Sequence, residues 1–116
     1  MELKEFYKKV GGDYEDVLLR LAAPAMIKKF VCRFSQDPSY AALEKALEEE
    51  QIEDAFRAAH TLKGTAATLG LTSLAAAASE LTEQLRNAKL LPDQNYVIAV
   101  KEAYQLTMDA IAGLDP

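Results

Sequence analysis

The residues of this chain best suited to chemistry are His60, Lys63 and Gly64, within the run Ala59-His60-Thr61-Leu62-Lys63-Gly64. His60 is the single histidine among 116 residues. A cation three residues beyond an imidazole and a glycine four beyond it share its helix face. Histidine offers a nucleophilic nitrogen near neutral pH, and lysine sets a positive charge beside it. Glycine inside a helix costs about 1 kcal/mol relative to alanine, a cost accepted where something must come close. The three together read as a docking surface for a large anionic partner. His-x-x-Lys also recurs by chance on solvated helix faces. The interior Gly64, the small Ala67 and a helix stop at Gly70 turn the reading toward function.

A helix must hold these residues, and the apolar spacing predicts one from about Gln51 to Leu69. Its core stripe is Ile52, Ala55, Phe56, Ala59, Leu62, Ala66 and Leu69. His60 falls about 110–120° from the centre of that stripe, at the edge of the buried face, so its ring is expected in solvent. Lys63 lies nearer the core edge and Gly64 further out. Gly70 is expected as a left-handed cap, with Leu71 folding back.

The rest of the chain reads as helices too. Leu3 to Val10 is stopped by Gly11-Gly12, and Asp13 can cap a short helix carrying Val17 and Leu21. Pro24 suits the first turn of a helix whose stripe is Ile27, Phe30, Val31 and Phe34. Asp37 and a first-turn Pro38 open the next, through Tyr40, Leu43 and Leu47. Local signals would run that helix on to Leu69. Its stripe, however, points about a third of a turn away from that of Ile52 and Phe56, and Glu48, Glu49 and Glu50 repel one another. A break is therefore expected near Glu49 to Gln51. Leu71, Leu74, Ala78, Leu81 and Leu85 form a bundle seam. After Pro92, a last helix from about Asp93 to Ala112 carries Val97, Val100, Tyr104, Met108 and Ile111. The expected fold is all-α, an antiparallel up-down four-helix bundle with one or two short N-terminal helices, forming one domain over residues 1–116.

Composition narrows the function. Half the residues are hydrophobic and 27% charged, with a net charge of −5, which argues against a nucleic-acid binder. No apolar run reaches membrane-span length, and the start lacks a signal-peptide core. Cys32 is the one cysteine. Flanked by Val31, with Phe34 two residues on, it is expected to be a buried, inert thiol, and a cytoplasmic setting follows. No metal site is expected, since the residue three before His60 is Arg57 rather than the glutamate of a di-iron bundle.

The stretch from Ala58 to Leu71, Ala-Ala-His-Thr-Leu-Lys-Gly-Thr-Ala-Ala-Thr-Leu-Gly-Leu, resembles the signature of histidine-containing phosphotransfer (HPt) domains. The likeness extends from about Gly11 to Arg86 and includes Ser79-Glu80-Leu81. The resemblance implies that His60 accepts a phosphoryl group from a receiver-domain aspartate and passes it to another. Lys63 would then neutralise phosphoryl oxygens, and Gly64 would let the receiver's loop approach. Ala67, Arg57, Thr68 and Arg86 would contact the partner, with Glu53 among the side chains that set partner choice. Arg86 is either the basic residue that faces the histidine in some members or a solvated arginine. The polar residue that bonds the histidine in some members would fall near Thr82, which is too short to serve well.

The implied partners are response-regulator receiver domains and a hybrid histidine kinase, with neither nucleic acid nor membrane involved and the protein a monomer. No cofactor is implied, and Mg2+ would arrive with the receiver. Two other readings stay open. One is a receiver-binding scaffold that transfers nothing; the other is the phosphoacceptor module of a larger histidine kinase. Met1 and the ending at Asp115-Pro116 read as those of an independent protein.

Overall fold

The computed structural model describes residues 1–115, and all its regular elements are helices. They are α1 (Leu3–Lys9), α2 (Tyr14–Leu21), α3 (Pro24–Phe34), α4 (Ser39–Glu48), α5 (Ile52–Thr68), α6 (Thr72–Leu85) and α7 (Gln94–Ala112). Three helices precede α4, because Asp37 and Pro38 separate α3 from it. Pro38 takes the N-cap position rather than the first turn, and the Asp37 carboxylate accepts from Ser39 N at 2.9 Å. None of the helices is long and apolar enough to cross a membrane among the described residues.

The break after α4 falls where the apolar phase changes. Glu50 adopts φ +54° and Gln51 N donates to Ala46 O at 2.8 Å, ending one helix before Ile52 starts the next. The two helices can then each turn an apolar face to the common interior. Helix α4 packs on α5, α5 on α6 and α6 on α7. Tyr40 of α4 and Tyr104 of α7 stack at 3.8 Å with ring planes 6° apart, bringing the first and last of the four together.

The α5 stripe is buried as expected at Ala55, Ala59, Leu62 and Ala66, with Ile52 and Phe56 half-buried at its border. Leu71, Leu74, Ala78, Leu81 and Leu85 all face the interior. In α7 the innermost line is Val100, Thr107 and Ala110. The expected Val97, Tyr104, Met108 and Ile111 flank it, half-buried. Thr107 tolerates that place because its hydroxyl donates to Ala103 O at 2.8 Å.

Cys32 is exposed, contrary to expectation. Ile27, Val31 and Phe34 occupy the inward line of α3. A residue next to Val31 is turned about 100° away from it.

Helices α1 and α2 fasten the C-terminal end of α5. A helix leaves its last carbonyls unpaired, and here three of them find donors from the N-terminal segment. Tyr7 donates its hydroxyl to Leu69 O at 2.6 Å. Arg20, paired with Asp16, reaches Ala67 O at 3.0 Å and Thr68 O at 2.9 Å. Gly70 at φ +69° then turns the chain, and its carbonyl accepts from Asp13 N at 2.9 Å. A Cβ on Gly70 would lie 2.9 Å from Asp13 O, so glycine is required both by conformation and by contact.

Candidate functional site

His60 lies in the middle of α5, exposed, between Ala59 and Leu62, which are fully buried. The helix thus anchors the imidazole from behind while the ring stays in solvent. Phe56, one turn earlier, sets its ring 6.1 Å from the imidazole at an interplanar angle of 14°. That near-parallel face limits the directions the imidazole can take. Among the described residues the imidazole makes no hydrogen bond or ion pair.

Gly64 follows on the same side, exposed. A Cβ built on it would meet no other atom of this chain within 4 Å. The glycine is therefore not demanded by the packing of the protein itself. Ala67 and Thr68 continue the strip, both exposed. The Thr68 hydroxyl turns back to Gly64 O at 2.9 Å, and so does not stand out into the strip.

A groove of about 680 Å³ runs beside this strip. His60, Thr61, Gly64, Thr65 and Thr68 form one side, and Leu21, Phe30, Arg33, Phe34, Gln36 and Asp37 form the other. The groove is open to solvent and mostly apolar. Phe30 belongs to the apolar stripe expected for α3, whereas no local sequence signal marks out Arg33. Arg33 meets the site only because α3 forms the groove wall opposite α5.

Lys63 is half-buried on the opposite flank of His60, toward α6. The hydrogen bond and charge of Arg86 hold the Glu83 carboxyl below the usual carboxylate range, and the charge of Lys63 adds to this. Arg86 joins Glu83 at 3.1 Å and rests 5.0 Å above the Phe56 ring. Its contact with the imidazole therefore runs through Phe56, and it does not line the groove beside His60. Thr82 is fully buried, with its hydroxyl on Ala78 O at 2.6 Å, so it gives His60 no hydrogen bond. Arg57 is exposed and pairs with Glu53 at 2.6 Å and Asp54 at 3.3 Å, one turn before the imidazole. No group of three or more potential metal ligands occurs among the described residues.

The arrangement is a solitary exposed imidazole on a rigid helix, with a cation beside it and clear space one turn along. It can present a nucleophilic nitrogen to another macromolecule. The helix that bears it belongs to an all-helical domain. The family model of the Hpt domain matches residues 36–112, and the chain belongs to that family, whose members carry out histidine phosphotransfer in phosphorelays. The match spans α4 to α7 and includes His60, Lys63 and Gly64; α1, α2 and α3 lie before it. Neither the curated proteins nor the solved structures gave a match.

Proposed function

We propose that this protein is a phosphorelay intermediate whose phosphoacceptor is His60. A receiver domain carrying an aspartyl phosphate would dock along the strip beside the imidazole. The nitrogen lone pair forms the N–P bond while the acyl P–O bond breaks, and the aspartate carboxylate leaves with the electron pair. Attack by the carboxylate of a second receiver reverses these events and returns the imidazole unchanged.

The observation that carries this reading is the open space at Gly64, one turn from an exposed imidazole. The chain's own packing has no use for that glycine, whereas an approaching receiver loop does. Phosphoryl transfer depends mainly on positioning and charge neutralisation. The buried Ala59 and Leu62 and the Phe56 ring supply the first. Lys63 supplies the second, one turn from the nitrogen. Ala67 and Thr68 extend the contact, and Arg57 lies at its rim with Glu53. Arg86 acts through Phe56 rather than on the phosphoryl group.

The mount for this chemistry is an antiparallel up-down four-helix bundle of α4 to α7. Mg2+, which assists at the receiver's acidic site, comes with that partner. A hybrid histidine kinase supplies the phosphate at the expense of ATP, which places the protein in the cytoplasm. Incubation with such a kinase, ATP and a receiver tests the proposal. Acid-labile phosphate on this chain that chases onto the receiver is the expected outcome. Receiver binding with no label, undiminished in His60→Gln, would mark a scaffold instead.

A further inference from the structure

The wall facing His60 carries a second cation. Arg33 of α3 lines the same groove as His60, Thr61 and Gly64. Its height along α5 follows from its neighbours. Asp37, one turn after Arg33, lines this groove too and also borders a neighbouring hollow with Ala58 and Thr61. Leu21, which precedes α3, meets the groove whose α5 side ends at Thr68 and Leu69. Arg33 therefore stands across the groove from the turn that bears His60 and Gly64.

This arginine is exposed, and its guanidinium makes no ion pair or hydrogen bond among the described residues. The carboxylate that helical spacing would offer it is that of Asp37, four residues on. That carboxylate instead accepts from the backbone nitrogen and the hydroxyl of Ser39, capping α4. The guanidinium lies 5.9 Å from the Phe30 ring, an aromatic face that supports a cation without neutralising it. Arg33 therefore brings a guanidinium with no ion pair among the described residues to the groove wall across from the imidazole.

We propose that Arg33 is a phosphoryl-binding residue, donating from its guanidinium to the phosphoryl oxygens carried on His60. The planar fork of arginine suits such oxygens and keeps its charge at any working pH. Residue 33 lies before the segment matched by the family model, so this assignment comes from the place of α3 along the groove alone. It rests on His60 being the phosphoacceptor.

Phosphoramidate tests it without a protein partner. The imidazole lone pair forms the N–P bond, the P–N bond of the ammonium form of the donor breaks, and ammonia leaves with that bond's electrons. The rate of phosphohistidine formation is followed by 31P NMR for the wild type, Arg33→Gln, Arg33→Lys and Lys29→Gln. Lys29 is an exposed cation of the same helix that lies outside the groove. Loss of one charge-assisted hydrogen bond near solvent predicts phosphorylation about tenfold slower in Arg33→Gln. Arg33→Lys should recover part of the rate, and Lys29→Gln should match the wild type. Equal rates in Arg33→Gln and the wild type, or an equal loss in Lys29→Gln, would overturn the proposal while leaving His60 as acceptor. A wild type that takes no phosphate on His60 would overturn both.

Discussion

Arg20 of α2 donates to the carbonyl oxygen of Thr68, the last residue of α5, at 2.9 Å. The same guanidinium holds Ala67 O, so a positive charge sits on the C-terminal end of the helix that bears His60. Such a charge also opposes the negative end of the helix dipole. The N-terminal helices thus stiffen the mount of the imidazole from a distance.

Arg20→Ala is expected to lower stability by about 1 kcal/mol. Tyr7→Phe should cost about 1–2 kcal/mol, because it leaves Leu69 O in the interior without its donor. Urea titrations followed by circular dichroism measure both. Phosphate acceptance by the folded fraction should change little, since neither residue faces the groove.

Gly64 makes the opposite prediction. Gly64→Ala should stabilise the fold by about 0.5–1 kcal/mol, as the helix gains propensity and the new Cβ meets nothing. Gly64→Leu should also fold. Both variants should take phosphate from phosphoramidate, a small donor, yet Gly64→Leu should transfer poorly with a receiver. Equal receiver transfer by Gly64→Leu and the wild type would show that the open space has no role in docking.

Gly70→Ala is expected to damage the fold. A left-handed φ of +69° costs an L residue about 1–2 kcal/mol, and the Cβ would press on Asp13 O besides. The loss should show as a lowered urea midpoint, with disruption concentrated where α2 meets the end of α5. Hydrogen exchange at Asp13 and Leu71 would locate it.

The tyrosine pair between α4 and α7 gives the domain an alkaline limit. Burial, followed by the charge and hydrogen bond of Glu44, pushes Tyr40 from 10.0 up to about 12. Burial raises Tyr104 as well, with Asp37 and Glu44 adding to it. The folded state therefore favours the neutral phenols. Their contribution is complete below about pH 10 and declines as pH climbs from there toward about 12. Urea midpoints across that window should fall more steeply for the wild type than for Tyr40→Phe.

Much of this arrangement was legible from residue spacing, and the reasons are local. The stripe from Ala55 to Ala66 follows one helical period, so the side on which His60 emerges could be computed. The break at Glu50 was visible as a change of apolar phase, although no glycine or proline marks it. Cys32 was misplaced because its apolar neighbours hid the fact that Val31 and Phe34 already fill the inward line. The inner face of α7 was misjudged at Thr107, whose burial depends on a hydroxyl bond to Ala103 O that composition does not announce. Tyr7, Arg20 and Arg33 were invisible for a different reason. They reach α5 across long stretches of chain, and only the packed helices bring them there.

The central claim is that phosphate resides on His60, and locating that phosphate tests it most directly. The protein is exposed to a phosphorylated receiver, kept alkaline, digested and sequenced by mass spectrometry. Acid-labile phosphate is expected on the peptide containing His60 and none on His60→Gln. Label retained by His60→Gln at the wild-type level, or found on another residue of the wild type, would contradict it.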